Sequence, residues 1–244
     1  TDQIRMKEEA LWVPTKPLFS KFKKKVFSKL ANVSDFIYQI GDYAALRESS
    51  SPLSLAKISS PEYKRKFSYL KTCLRNYKKL TGYGRGISAV QVGIPERFFV
   101  IFTNEEEMLL VINPKVTKQA KKYYLYSEIC MSAGAIIAPT IRPAWIEFEY
   151  YNELGEKRYW DMKDDTNQAK MMNRVFQHEI DHIEGIINID KVKSNLLFLE
   201  SDPNYYKKIR LIEIDTPEGV IKKELISNQE NHDIKSLLMS LKAS

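Results

Sequence analysis

Gln177-His178-Glu179-Ile180-Asp181-His182 is an H-E-x-x-H box, and it uses two of the three histidines in the 244 residues. On an α-helix, positions four apart lie about 40° past one full turn and roughly 6 Å along the axis. Both imidazoles then leave one face and can grip one metal ion. The glutamate between them can take a proton from a metal-bound water. That chemistry suits metal-assisted hydrolysis of an amide or similar carbonyl.

The box needs a helix, and the surrounding residues predict one. No Pro or Gly occurs from Asn167 to Glu184, and Gly185 follows as a stop. Met171, Met172, Val175, Phe176, Ile180 and Ile183 fall mostly at i, i+3, i+4 spacing. Asp164, Asp165 and Thr166 are candidate N-caps. A structural reading, a buried helix with two hydrogen-bonded histidines, competes with the metal reading. A catalytic site also needs a third ligand and an open position. His232 lies in a polar stretch and reads as solvated. Cys73 sits among Tyr69, Leu70, Leu74, Tyr77 and Leu80, a helical stripe, and reads as a small core residue. Cys130 ends an aromatic run from Tyr123 at the mouth of a loop. Spacing alone sets it only slightly above an unused thiol.

Three separated segments resemble the signature boxes of the peptide deformylase family. Gly84-Arg85-Gly86-Ile87-Ser88-Ala89-Val90-Gln91 is similar to the first, Glu128-Ile129-Cys130-Met131-Ser132 to the second, and Gln177 to Gly185 to the third. The resemblance covers roughly residues 60 to 195. It implies that Cys130, His178 and His182 hold one divalent metal ion, Fe2+ by family habit, with Zn2+, Ni2+ or Co2+ as substitutes. It implies Glu179 as general acid and base. It implies the Gln91 amide and the Met131 backbone N–H as donors to the oxyanion formed at the formyl carbon. Glu128 and Arg142 are expected to pair and buttress the metal loop; the competing reading leaves Arg142 on the surface. Asp181 is expected either to orient a ligand imidazole or to be solvated. Gly86, with its neighbouring glycine, would let backbone approach an extended substrate bound like an added strand.

The departures from the family pattern concern substrate. Ile129 replaces a glycine and is expected to narrow the groove or shift its backbone. Arg85 and Arg174 stand where apolar residues line the methionine pocket. They are expected either to favour polar or acidic side chains or to snorkel to water. The implied activity is removal of the N-formyl group from the N-terminal methionine of newly made polypeptides. The alternative is a related metal amidase with another N-formyl or N-acyl preference. Two further readings are a ribosome- or RNA-associated module without catalysis, and a zinc endopeptidase with its third ligand further down the chain.

Composition sets the remaining bounds. The chain is 43% hydrophobic without an apolar stretch near eighteen residues, so no membrane span is expected. Two cysteines make no disulfide framework, and a reducing compartment suits a thiolate ligand. The expected location is the cytoplasm, or an organelle with its own translation. Of the net charge of +7, residues 1–30 carry +5. The basic character thus belongs to an N-terminal arm around Lys21, Lys23, Lys24 and Lys25. Interleaved Phe19, Phe22, Val26, Phe27 and Leu30 give it an amphipathic helical pattern, and it is expected to dock on the core, to contact the ribosome, RNA or lipid, or to be a targeting remnant. DNA is not an expected partner. Thr1 in place of an initiator methionine suggests trimming or a fragment.

The predicted fold is α+β, with mixed or antiparallel strands around the central metal-binding helix. Helices are expected over residues 30–47 and 62–80, with a Ser/Pro-rich loop over 48–61. Strands are expected at 97–103, 109–113, 121–128, 144–151 and 157–161, with turns at 104–107 and 152–155. A small hairpin is expected from 209–214 and 219–225, then a last amphipathic helix marked by Ile234, Leu237, Leu238 and Leu241. The expected division is an N-terminal extension and linker (1–57), a catalytic domain (58–195) and a C-terminal extension packed on it (196–244).

Overall fold

The computed structural model describes residues 21–192, 194, 197–199, 212–214 and 221–224. Its helices are α1 (Lys21–Ser34), α2 (Pro61–Thr81) and α3 (Asn167–Ile183). Strands β1 (Gly86–Ser88), β2 (Phe98–Phe102), β3 (Met108–Gln119), β6 (Ile146–Tyr151) and β7 (Lys157–Trp160) form one sheet in the order β1-β2-β3-β6-β7. A second sheet contains β4 (Tyr123–Ile129), β5 (Ile136–Pro143), β8 (Phe198–Leu199), β9 (Ile212–Ile214) and β10 (Ile221–Glu224), ordered β10-β9-β4-β5-β8. All pairings between these strands are antiparallel. The architecture is α+β.

Strand β2 explains the layering. Its five residues, Phe98 to Phe102, are all buried. Successive side chains point to opposite faces of a sheet, so both faces must be covered. Phe98, Val100 and Phe102 pack with Phe67, Leu70 and Leu74 of α2. Phe99 and Ile101 pack with Phe148, Met172 and Phe176 on the other side, which is the α3 side. The Phe176 ring lies 4.9 Å from Phe148 and 4.4 Å from Trp160. These rings fix the rotation of α3, and hence the direction in which its histidines point.

Helix α2 closely matches its sequence expectation. Ser60 accepts a hydrogen bond from Tyr63 N–H, Pro61 occupies the first turn, and Gly82 ends the helix at φ +79°. Helix α3 is capped by Thr166, which accepts from Ala169 N–H at 3.2 Å. The turn at 104–107 joins β2 to β3, and that at 152–155 joins β6 to β7. Phe148 stands opposite Trp160.

Three expectations need correction. The helix expected over 30–47 ends at Ser34, and a single 3-10 turn (Ala44–Arg47) follows. Between them Tyr38 N–H donates to Gln91 O and Ile40 N–H to Ser132 O, at 2.9 and 2.7 Å. These long-range bonds take the donors that a helix would use internally. The strand expected to stop at Asn113 continues to Gln119, with a register shift between Ile112 and Lys115 that accommodates Pro114. No strand is expected over Ile136–Pro143, which carries two prolines, yet β5 pairs with β4 from Ile137 to Pro143.

At the C-terminal end, Ile212–Ile214 and Ile221–Glu224 pair antiparallel, and Ile214 stands opposite Tyr123 of β4. The arm residues before Lys21, His232 and the helix expected around Leu237 lie outside the described residues. No described helix is long and apolar enough to cross a membrane.

Candidate metal centre

Helix α3 and the end of β4 bring Cys130, His178 and His182 together. One ligand atom from each lies within 4.8 Å of the others. Cys130 Sγ is 3.2 Å from His182 Nε2. His178 Nδ1 is 3.1 Å from Glu128 Oε2. A carboxylate only accepts, so this bond places the His178 proton on Nδ1 and leaves Nε2 as an electron-pair donor. His182 Nδ1 is buried without a partner among the described residues. Its Nε2 faces the thiol. One sulfur and two imidazole nitrogens form a donor set that fits a borderline-soft divalent cation.

Glu128 is the hub behind the ligands. Arg142 meets it in a fork, Nε to Oε1 at 2.7 Å and Nη2 to Oε2 at 2.9 Å. Arg174 Nη2 adds a contact to Oε1 at 2.7 Å. Arg142 also reaches Asp181 at 2.7 Å, and Lys191 approaches the same carboxylate at 3.3 Å. Asp181 therefore neither orients an imidazole nor is left to solvent; it balances Arg142. Burial raises the Glu128 carboxyl, but the charges of Arg142 and Arg174 and the His178 bond outweigh it and hold it well below the usual carboxylate range. Burial lowers His178, yet its bonds to Cys130 and Glu128 bring it well above the ordinary histidine value. Burial, reinforced by the neighbouring His178 and Arg142, sets His182 well below it.

Arg174 requires a correction. It borders the cleft, but its guanidinium neither polarises a methionine pocket nor snorkels to water. It is 4% exposed and bonded to Glu128, Tyr124 O and Thr140 O. Burial brings it down to about 10, against the pull of Glu128. Arg174 is one helical turn before His178, so both lie on one helix face and reach the Glu128 carboxylate.

Glu179 is 3% exposed, and burial pushes its carboxyl up to about 7, opposed by His178 and by Ser88. Ser88 Oγ donates to Glu179 Oε2 at 2.8 Å and also lies 3.0 Å from the Glu179 backbone carbonyl oxygen. A carboxyl poised near neutrality can both accept and return a proton. Gly86 borders the same group. A Cβ there would stand 2.8 Å from Glu179 Oε1, closer than real contacts allow. Gly86 thus makes room for the carboxylate and also lines the cleft. Gly86→Ala is expected to keep the fold, read by circular dichroism, and to lower turnover by about a hundredfold through misplacement of Glu179. Unchanged turnover would mean that the carboxylate position is not critical.

Gln91 is locked by its own turn. Its Oε1 accepts from Ser88 N–H at 2.8 Å, and its Nε2 donates to Ser132 Oγ at 3.0 Å with Cys130 Sγ at 3.8 Å. The amide N–H edge therefore faces the metal loop. Sequence reasoning missed Gln39. Its Nε2 donates to Met131 O at 2.8 Å and its Oε1 accepts from Gly134 N–H at 3.2 Å, which clamps the loop after Cys130. No local pattern marks such a residue, because both partners lie more than 90 positions away.

A cleft of about 240 Å³ opens over these groups, bordered by Arg85, Gly86, Gln91, Ile129, His178 and Glu179 among others. Arg85 is exposed at its rim, with Nη1 3.7 Å from Met172 Sδ. Ile129 is half-buried and projects into the cleft wall.

Residues 35–196 match the sequence pattern of the family described as Polypeptide deformylase. The chain belongs to this family. Members are metal-dependent hydrolases. A peptide deformylase from a Picosynechococcus species is 32% identical over 117 residues, 46% of this chain and 59% of that protein. The chain thus spans just under three fifths of that relative. The deformylase of Thermotoga maritima aligns at a TM-score of 0.55 and 29% identity, covering 64% of this chain and 96% of that one. The Synechococcus elongatus deformylase, solved in complex with actinonin, aligns at 0.55 and 26%, covering 66% and 79%.

Proposed function

We propose that the chain removes the N-formyl group from the N-terminal methionine of newly made polypeptides. The observation that carries this reading is the Cys130, His178 and His182 trio with Glu179 beside it at one cleft. The three ligands would hold one divalent cation, with Fe2+ the first choice and Zn2+, Ni2+ or Co2+ as substitutes. When bound, the cation acts as a Lewis acid and makes water more acidic.

The chain's own groups supply the rest. Glu179 takes a proton from water and passes it to the leaving amine, which keeps proton traffic within one buried carboxyl. Ser88 holds that carboxyl in place. Gln91 Nε2 and the Met131 N–H serve as donors to the oxyanion at the formyl carbon, and the Ser88 bond to Gln91 Oε1 fixes which end of the amide faces it. Glu128, itself held by Arg142 and Arg174, orients His178. Met171 and Val175 on α3, with Ile129, give the cleft an apolar wall for a methionine side chain.

Residues 58–195 are read as the catalytic part, 1–57 as an N-terminal extension and linker, and 196–244 as a C-terminal extension packed on it. Packing of Val33 into the α2 core and of β9 beside β4 supports that reading. A reducing compartment, cytoplasmic or organellar, suits the thiolate ligand, and the basic arm around Lys21, Lys23, Lys24 and Lys25 is read as a ribosome contact.

The alternative, an amidase for another acyl group, now rests on Arg85 and Ile129 alone, since Arg174 is committed to Glu128. Formate release from formyl-Met peptides, compared with acetyl-Met and formyl-Glu peptides, tests the proposal. Formate released fastest from formyl-Met peptides is expected. Faster turnover of formyl-Glu, or of acetyl-Met with release of acetate, would favour the alternative.

A further inference from the structure

A second groove joins the catalytic cleft, and one of its walls lies outside the family match. Helix α1 ends at Ser34, before the matched stretch begins at residue 35. The helix is seated on the body: Val33 is buried in the α2 core, and Leu30 packs so closely on Gly134 that a Cβ there would lie 2.3 Å from its Cδ1. This seating turns Lys25, Val26 and Lys29 toward a groove of about 110 Å³. Tyr77, Tyr83, Ile129 and Met131 border both the groove and the cleft. The two spaces are therefore neighbours that share the residues flanking Cys130 as a border.

The charge of the groove has one sign. No acidic residue lines it, whereas Glu128 and Glu179 line the cleft next door. Among the described residues neither Lys25 nor Lys29 has a carboxylate partner in an ion pair, and Lys29 Nζ lies 5.9 Å from the Tyr83 ring centroid. A formylated substrate has nothing beyond its formyl group, so with the reacting carbon held at the cation, the rest of the peptide must lead away. A groove that shares four border residues with the cleft is placed to receive residues that follow the first.

Resting on the proposed deformylation, we infer that Lys25 and Lys29 of α1 form a selector for acidic side chains in the residues following the formylated methionine. Helix α1 supplies a cationic wall, and peptides with Glu in those positions are captured ahead of those with Lys. The attraction acts across water and is weakened by salt.

The test uses the full chain loaded with metal and C-terminally amidated formyl-Met peptides, alike except for two Glu, two Gln or two Lys after the methionine. At low salt, kcat/KM for the Glu peptide is expected to exceed that for the Lys peptide by about three- to tenfold, carried mainly by KM, with most of the gap closed at high salt. The double variant Lys25→Glu with Lys29→Glu is expected to reverse the order. Fluorescence anisotropy with labelled Met peptides of the same three compositions reads the groove independently of catalysis. Equal binding of Glu and Lys peptides, or an order that survives the double charge reversal, overturns the selector. Acid-selective binding without formate release would leave the selector standing and sink the deformylase reading instead.

Discussion

Replacing Glu179 by Gln is expected to leave metal content unchanged and to lower turnover by roughly two to four decades, the usual span for general acid–base catalysis. The change is nearly isosteric, so the groups around the side chain stay in place. Ser88 keeps an oxygen to bond, and the bare Cα of Gly86 still gives clearance. What disappears is a group that can take and return a proton. Burial has already brought that carboxyl to about 7 in the protein, a region where either protonation state is accessible near neutral pH. Metal analysis alongside formate release checks the result. A variant within about threefold of wild type would assign proton transfer to another group.

The second large effect is on stability. Glu128→Ala leaves Arg142 and Arg174, 2% and 4% exposed, as buried cations without their shared carboxylate. Asp181 still balances Arg142, but Arg174 retains two backbone carbonyls and the Tyr126 ring, with no carboxylate. Removing one partner of a buried ionic network costs about 3–5 kcal/mol. At roughly 2–4 °C per kcal/mol for a chain of this size, thermal melting should fall by about 6–20 °C. His178 also loses the acceptor that fixes its tautomer, and metal affinity is expected to drop by about ten- to a hundredfold. Combining Glu128→Ala with Arg174→Met removes the stranded charge and should restore part of the melting temperature without restoring metal affinity. A melting temperature within about 2 °C of wild type in the single variant would show that water already screens the network.

The legible parts of this molecule are those with local causes. Helix α3 announces itself through 3.6-residue spacing and the glycine after Glu184, and the H-E-x-x-H spacing then puts both imidazoles on one face. Helix α2 carries its cap, its proline and its glycine stop in the sequence. Strand β2 reads clearly because five consecutive apolar residues need cover on both sides. The less legible parts have remote causes. Segment 36–40 looks helical, but the N–H groups of Tyr38 and Ile40 serve Gln91 and Ser132 in distant loops. Strand β5 carries two prolines and is recognisable only once β4 is beside it. The Arg174 side chain looked like a pocket residue because position says nothing of a glutamate 46 residues earlier. Glu128 and Arg142 came within reach through the family resemblance, whereas Gln39 had no signal of either kind.

Everything in the proposed chemistry requires one sulfur and two imidazoles around one cation. X-ray absorption at the metal edge of anaerobically purified protein measures this directly. The account predicts about one metal per chain, with one sulfur and two imidazole nitrogens in the coordination sphere, and loss of the sulfur signal in Cys130→Ser. A sphere of nitrogen and oxygen alone in the wild type, or a sulfur signal unchanged by Cys130→Ser, would contradict it.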